Sequence, residues 1–143
     1  MIKIIIRKKF NMEKYKALGL KLTPQRMAIL NYLDGNKEHP SAETIFKALK
    51  KRFPTMSFAT VYNTLENLKK IGYLVELNLD PQKKHFDPDT KPHHHFICEK
   101  CNKIFDIYHE IPLPISKIEE EGFQIKKTHI QFFGTCPKCK KIS

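Results

Sequence analysis

The residues best equipped for chemistry fall into two sets. Cys98-Glu-Lys-Cys101 and Cys136-Pro-Lys-Cys139 contain all four cysteines of the chain, as two CxxC pairs separated by 34 residues. Two intervening residues let both sulfurs of a pair reach one tetrahedral ion about 2.3 Å away. Four thiolates suit zinc, close its coordination shell and leave no open position for catalysis. A redox CxxC and an iron–sulfur cluster held by four cysteines are the alternatives, and the presence of two pairs in one short segment favours structural zinc. The second set offers nitrogen and oxygen. His93 and His95 alternate on an apparent strand, so their rings leave the same face, and Asp106 lies on the strand that follows. His39, before Pro40, and Asp87, at the end of a hairpin-like segment, are on their own loop and turn residues.

These residues sit in a chain of two textures. With 41% hydrophobic and 29% charged residues over 143 positions, the chain folds rather than staying disordered. No apolar run approaches the roughly 20 residues of a membrane helix. Lys and Arg number 26 against 15 Asp and Glu, a net +11 that points to a polyanionic partner and excludes an acidic buffer-type protein. Residues 1–90 carry 17 basic and 9 acidic side chains, residues 91–143 only 9 and 6. All the cysteines and five of the seven histidines lie in the second part. The expected division is a basic domain over 1–87, a hinge over 88–92 and a metal-binding domain over 93–143.

The first ten residues hold a basic flank around three consecutive isoleucines, too short for a secretory core of about 7–15 apolar residues. The expected location is therefore the cytoplasm, where paired cysteines bind metal more often than they form disulfides. Residues 1–11 are either an extension, with Met12 as an alternative start, or a basic arm that touches phosphate.

Three helices are expected in the basic half. Thr23-Pro24, Ser41 and Ser57 are start signals, and Asp34-Gly35-Asn36, Pro54 and Gly72 stop the runs. The third helix spans Ser57 to Ile71, with Ala59, Val61, Leu65, Leu68 and Ile71 able to face a core. Tyr73 to Leu79 alternates as a strand, Asp80 to Lys84 turns, and His85-Phe86-Asp87 returns. Three helices and a hairpin outline a winged helix-turn-helix, with a helical bundle carrying a hairpin as the bland alternative. The second half shows apolar runs over His95–Cys98, Ile104–Tyr108 and Ile125–Phe133, and a helix from Ile115 to Glu121 closed by Gly122. This small α/β unit needs stapling by metal or by a second subunit. The fold class is α+β. A helix-turn-helix presents the start of its second helix to the major groove, which nominates Ser57, Thr60, Tyr62 and Asn63 for base edges and Arg26 for phosphate.

The combination of Leu22-Thr-Pro-Gln-Arg26, His39-Pro-Ser-Ala42, Phe53-Pro-Thr-Met-Ser-Phe-Ala-Thr-Val-Tyr-Asn63, His85-Phe-Asp87, His93-His-His-Phe-Ile-Cys98 and Cys101-Asn-Lys-Ile-Phe-Asp106 with the last CxxC resembles the ferric uptake regulator superfamily. The resemblance runs over about residues 13–140 and is strongest to the peroxide-responsive branch. It implies a homodimeric, metal-dependent transcriptional repressor of A/T-rich palindromic DNA, not an enzyme. It also implies a regulatory Fe2+ or Mn2+ site on His39, Asp87, His93, His95 and Asp106, beside structural Zn2+ on the four cysteines. Aspartate at both carboxylate positions resembles the peroxide sensors, in which bound Fe2+ reacts with hydrogen peroxide and a ligand histidine is oxidised. His39 and His93 are the candidates here. An iron- or manganese-responsive repressor without peroxide chemistry is the alternative. Other members hold a further metal near positions matching His94 and His129, to which His109 and Glu110 could add ligands here, though Pro92 departs from that pattern and a hydrated His94 with a strand-surface His129 is an equal alternative. A metal-dependent hydrolase built on His39, His93 and His95 is the different-class reading, but no HExxH, Ser/His/Asp or P-loop pattern accompanies those residues.

Overall fold

The computed structural model describes residues 13–80 and 82–142. The chain divides into two compact units after Thr90. Residues 1–11, read above as an extension or arm, lie outside the described residues.

In the first unit a helical turn over residues 13–16 precedes α1 (Pro24–Leu33), α2 (Ala42–Lys50) and α3 (Phe58–Lys70), followed by β1 (Val75–Leu77) and β2 (His85–Asp87). Each of the three expected start signals works as a cap. The side chains of Thr23, Ser41 and Ser57 accept from the backbone N–H of Arg26, Thr44 and Thr60, at 3.2, 3.2 and 3.1 Å, and Pro24 opens α1 without needing a donor. The helices bury Ile29, Leu30, Leu33, Ile45, Leu49, Val61, Leu65 and Leu68 in one core with Tyr15, Met56, Leu74 and Phe86. Two expectations for α3 fail. Ala59 shares the solvent side with Tyr62 and Asn63, one helical turn on, and Ile71 stands exposed at the helix's C-terminal cap.

The wing is shorter than its sequence suggests. β1 and β2 pair antiparallel over three residues, Val75 opposite Asp87 and Leu77 opposite His85. β2 is also paired on its other side, because Phe86 N–H donates to the Pro40 carbonyl at 3.0 Å and Ser41 bridges His85. Three helices followed by this hairpin form a winged helix.

The second unit is a three-stranded sheet in the order β4-β3-β5, with β3 (His94–Cys98) central between β4 (Ile104–Ile107) and β5 (Gln131–Gly134). α4 (Ile115–Glu120) lies between β4 and β5 in the chain, and α5 (Pro137–Ile142) closes it. β3 and β4 are antiparallel, with His95 opposite Asp106. β3 and β5 are parallel, with Cys98 opposite Gly134. Parallel strands end together, so the first cysteine pair and the second arrive at the same end of the sheet. Of the apolar run over Ile125–Phe133, only the last part lies in a strand. Among the described residues no helix is long and apolar enough to cross a membrane.

Candidate metal centres and nucleic-acid interface

The four cysteine sulfurs offer ligand atoms all within 4.8 Å of one another. Cys98 ends the central strand, and the turn to Cys101 closes through the Asn102 N–H on the Cys98 carbonyl at 2.8 Å, with Asn102 in the left-handed region at φ 60°. Cys136 precedes α5, whose first turn brings Cys139 to the same face, and Lys140 N–H donates to the Cys136 carbonyl at 2.9 Å. Cys136 N–H in turn donates to the Cys98 sulfur at 3.3 Å.

Zinc fits this set. A tetrahedron with Zn–S bonds of about 2.3 Å has edges of about 3.8 Å, and Cys101 Sγ and Cys136 Sγ are 3.8 Å apart. The thiols are electrically unequal. Hydrogen bonds from the backbone of Cys101 and Cys136 pull the Cys98 thiol down to about 6. Cys139, crowded by Cys136 and then by burial, is pushed up to about 12. A cluster that ionises one thiol at its neighbours' expense is suited to a cation that balances them all.

The histidine–aspartate residues form one group in each unit. In the first, residues 39–41 run beside β2, which brings His39 Nε2 to 3.3 Å from Asp87 Oδ2, both side chains almost fully buried. His39 adopts a left-handed φ of 53°, unusual for a non-glycine residue. Its carbonyl accepts from His85 Nδ1 at 2.7 Å, while His85 Nε2 lies 3.4 Å from Asp80. His85 is thus a brace for the His39 backbone. Asp87 Oδ1 accepts from the Asp89 N–H at 2.9 Å.

In the second unit Asp106 receives two imidazoles on one carboxylate oxygen, His93 Nε2 at 3.0 Å and His95 Nε2 at 3.4 Å. The antiparallel register explains the contact, since Asp106 faces His95 directly and His93 lies two residues back on the same face. His93 precedes β3 by one residue. Its Nδ1 contacts the Lys91 carbonyl at 2.6 Å and its ring stacks on Tyr108 at 5.1 Å. Nitrogen and carboxylate donors of this kind suit Fe2+ or Mn2+ better than a thiolate set would.

The residues nominated for a further metal are arranged differently. His94 Nδ1 accepts the Ile130 N–H at 2.9 Å, and its ring stacks on His129 at 6.3 Å. His129 Nε2 lies 2.7 Å from His95 Nδ1. Partial burial, then the neighbouring His95, His94 and His93, hold the His129 pKa below the usual histidine range. His109 and Glu110 are exposed, and among the described residues these four do not gather into a ligand cluster. The contact between His129 and His95 is a feature of the site that sequence reasoning missed.

On the first unit, Tyr62 and Asn63 are exposed on the second turn of α3. The Ser57 and Thr60 hydroxyls lie 2.9 Å apart and are engaged in the cap. Arg26 Nη1 donates to the Lys21 carbonyl at 2.8 Å. Arg26, Lys21, Thr23, Gln25 and Thr60 line a cavity of about 510 Å³ at the start of α1. Arg26 and Thr60 therefore share one cleft.

The ferric uptake regulator family model matches residues 17–133. The chain belongs to the ferric uptake regulator family. The peroxide operon regulator of Bacillus subtilis (strain 168) is 38% identical over 135 residues, covering 91% of each chain. The peroxide-responsive repressor PerR of Staphylococcus epidermidis is 38% identical over 125 residues, covering 86% of this chain and 83% of that one. Among solved structures, a ferric uptake regulator from Francisella tularensis with iron superposes with a TM-score of 0.70 at 28% identity, covering 85% of this chain and 96% of that one. This member of the ferric uptake regulator family keeps the family's mixed helix and strand architecture and carries a four-cysteine cluster compatible with structural zinc.

Proposed function

We propose that this chain is a cytoplasmic, homodimeric, metal-dependent DNA-binding repressor that senses hydrogen peroxide. In this reading His39, Asp87, His93, His95 and Asp106 hold one regulatory Fe2+ or Mn2+, and Cys98, Cys101, Cys136 and Cys139 hold Zn2+. The observation that carries it is the split donor set. His39 and Asp87 pair in the first unit, and His93 and His95 converge on Asp106 in the second. Two donors or three make an incomplete shell, whereas three nitrogens and two oxygens together suit a ferrous or manganous ion. Relatives at 38% identity are named for peroxide response.

A ligand set drawn from both units gives the ion something to regulate. Shared ligands restrain the segment after Asp87, and with it the angle between two reading heads in a dimer. Coupling requires that the ion favour the DNA-competent arrangement over the others. Support for a second copy comes from edge strand β5, where Phe132 and Phe133 are 40% and 56% exposed, with Phe123 at 61% in the same unit. A two-fold dimer places half-sites about 34–36 Å apart on DNA, which calls for a palindromic operator, and the family resemblance implies an A/T-rich one. Ser57, Thr60, Tyr62 and Asn63 serve the base edges in this reading, Asn63 pairing with adenine and the carbons of Tyr62 and Thr60 meeting thymine methyls, while Arg26 serves phosphate.

When bound, Fe2+ supplies a redox-active centre to peroxide. The chain's own residues supply the target: a ring carbon of His39 or His93 would exchange its C–H bond for a C–O bond, the hydrogen staying on the oxidised ring at oxygen or nitrogen. The imidazole loses two electrons as hydrogen peroxide gives one oxygen to the ring and releases the other as one water. The altered ring is a poorer donor, so the restraint on the heads is released.

The test is mass spectrometry of Fe2+-loaded protein before and after peroxide. Peptides carrying His39 or His93 are expected to gain the mass of one oxygen, and operator binding to fall in step. Intact histidines with metal-dependent binding preserved would instead establish the second reading, an iron- or manganese-responsive repressor, which the same donor set also suits. Full metal-dependent operator affinity in His93→Ala would sink both.

A further inference from the structure

His129 stands just before β5, and the main chain fixes where it stands. His95 N–H donates to the Ile130 carbonyl at 3.1 Å, and Ile130 N–H donates to His94 Nδ1 at 2.9 Å. Both backbone groups of Ile130 are thereby tied to the central strand, which fixes the position of residue 129 immediately before it. Its ring meets the His95 ring nearly edge-on, at 5.0 Å and 78°, with Nε2 to Nδ1 at 2.7 Å. On its other side His95 points Nε2 at Asp106.

A hydrogen bond between two imidazole nitrogens needs a proton on one of them and a lone pair on the other. If His129 donates, neutral His95 carries its proton on Nε2 and presents N–H to Asp106. If His95 donates, its proton sits on Nδ1 and the Nε2 lone pair lies on the Asp106 side. Only the second arrangement lets His95 act as a metal donor through Nε2.

We infer that His129 is a positioning residue for His95, accepting its Nδ1–H and so holding the imidazole in the orientation and tautomer that ligate the regulatory ion through Nε2. The inference rests on the metal reading above and gives His129 a role that needs no ion of its own. It also gives the His94 ring a structural part, since its Nδ1 lone pair is spent on the segment that carries His129. Partners of this kind fix tautomer and raise ligand basicity, and their loss costs about 10–100-fold in metal affinity.

The experiment is a Mn2+ titration of the zinc-loaded dimer, with free Mn2+ read by its electron paramagnetic resonance, on the unaltered chain, His129→Leu, His129→Gln and His95→Ala. His129→Leu is expected to bind Mn2+ about 10–100-fold more weakly. His129→Gln, whose amide oxygen can accept the same bond, is expected to recover to within about threefold of the unaltered chain. Nitrogen-resolved NMR of the His95 ring, with Zn2+ as the diamagnetic probe in the regulatory site, should show the proton on Nδ1.

Leucine and unaltered proteins that bind Mn2+ alike would overturn the inference. So would glutamine binding as weakly as leucine, which would make His129 a ligand or a packing group. An Nε2–H tautomer in the metal-loaded protein overturns it without any variant. If His95→Ala itself keeps full affinity, the metal reading fails. If His95→Ala loses affinity and His129→Leu does not, only the role of His129 fails.

Discussion

Removing zinc should unfold one unit and spare the other. Among the described residues, the buried apolar side chains of the second unit are Ile97, Cys98, Ile104 and Cys136. Two of those four are zinc ligands in our reading. The two isoleucines contribute about 3–6 kcal/mol together, at roughly 1.5–3 kcal/mol each. A structural zinc held by thiolates contributes about 10–16 kcal/mol at neutral pH, which is comparable to or larger than the roughly 5–15 kcal/mol stability of a whole domain. The first unit needs no such help, since fourteen of its described residues form a buried core.

The perturbation is Cys98→Ser, or chelation under reducing conditions. Reductant matters because Cys101 Sγ and Cys136 Sγ are 3.8 Å apart, close enough that oxidation could staple the apo protein. Hydrogen exchange read by mass spectrometry should show protection lost at 94–98, 104–107 and 131–134 and kept at 24–33 and 58–70. Protection of 94–98 and 131–134 that survives in reduced, zinc-free protein would refute the reasoning. Equal loss over 58–70 would refute the independence of the two cores.

Other perturbations act in the first unit. Ser57→Ala removes the α3 cap and should cost about 1 kcal/mol, which in a unit of this size lowers the melting temperature by roughly 4–8 °C in a thermal scan by circular dichroism. Glu76 is partly buried, which works against its charge, but Lys84 at 3.2 Å and Lys69 at 3.3 Å more than offset this and hold its carboxyl below the usual range. A depressed carboxylate stabilises above its unfolded pKa and loses that contribution as pH falls through the folded value. Glu76→Gln should therefore destabilise the wing by at most about 1 kcal/mol at neutral pH, with the difference closing on acidification in denaturant titrations. Asn63→Ala should weaken operator binding by about 1–3 kcal/mol and relax sequence preference, whereas Arg26→Ala should weaken all duplexes alike and reduce the salt slope by about 1 in fluorescence anisotropy. An unchanged salt slope in Arg26→Ala would remove it from the phosphate contacts.

What was legible in the sequence was local. Thr23, Ser41 and Ser57 announce helix starts because a cap acts within three residues, and all three cap. The cysteine set was legible because CxxC spacing carries its own geometry. Long-range pairing was not. The run from Ile125 to Phe133 looks like one strand, yet only Gln131–Gly134 pairs, and its parallel alignment with β3 depends on a connection whose path no local pattern encodes. The approach of His39 to Asp87 depends on residues 39–41 adding to β2, a non-local bridge. The contact of His129 with His95 joins residues 34 apart and required the sheet order. The family resemblance supplied the regulatory ligand set that spacing alone left as a loop histidine and a turn aspartate.

The conformation of His39 argues for what its imidazole is worth. A left-handed φ suits glycine best, and side chains there cost up to roughly 1–2 kcal/mol, with asparagine, aspartate and histidine the commonest exceptions. The chain nevertheless buries a histidine at φ 53° and then restrains it repeatedly: His85 Nδ1 on its carbonyl, Phe86 N–H on the next carbonyl, and the Ser41 bridge beyond. Such over-determination is how a strained residue persists, and it directs Nε2 at Asp87. In the reading proposed above, the His39 ring nitrogen is what the turn presents, and any loss of stability at residue 39 falls where donor geometry gains from it.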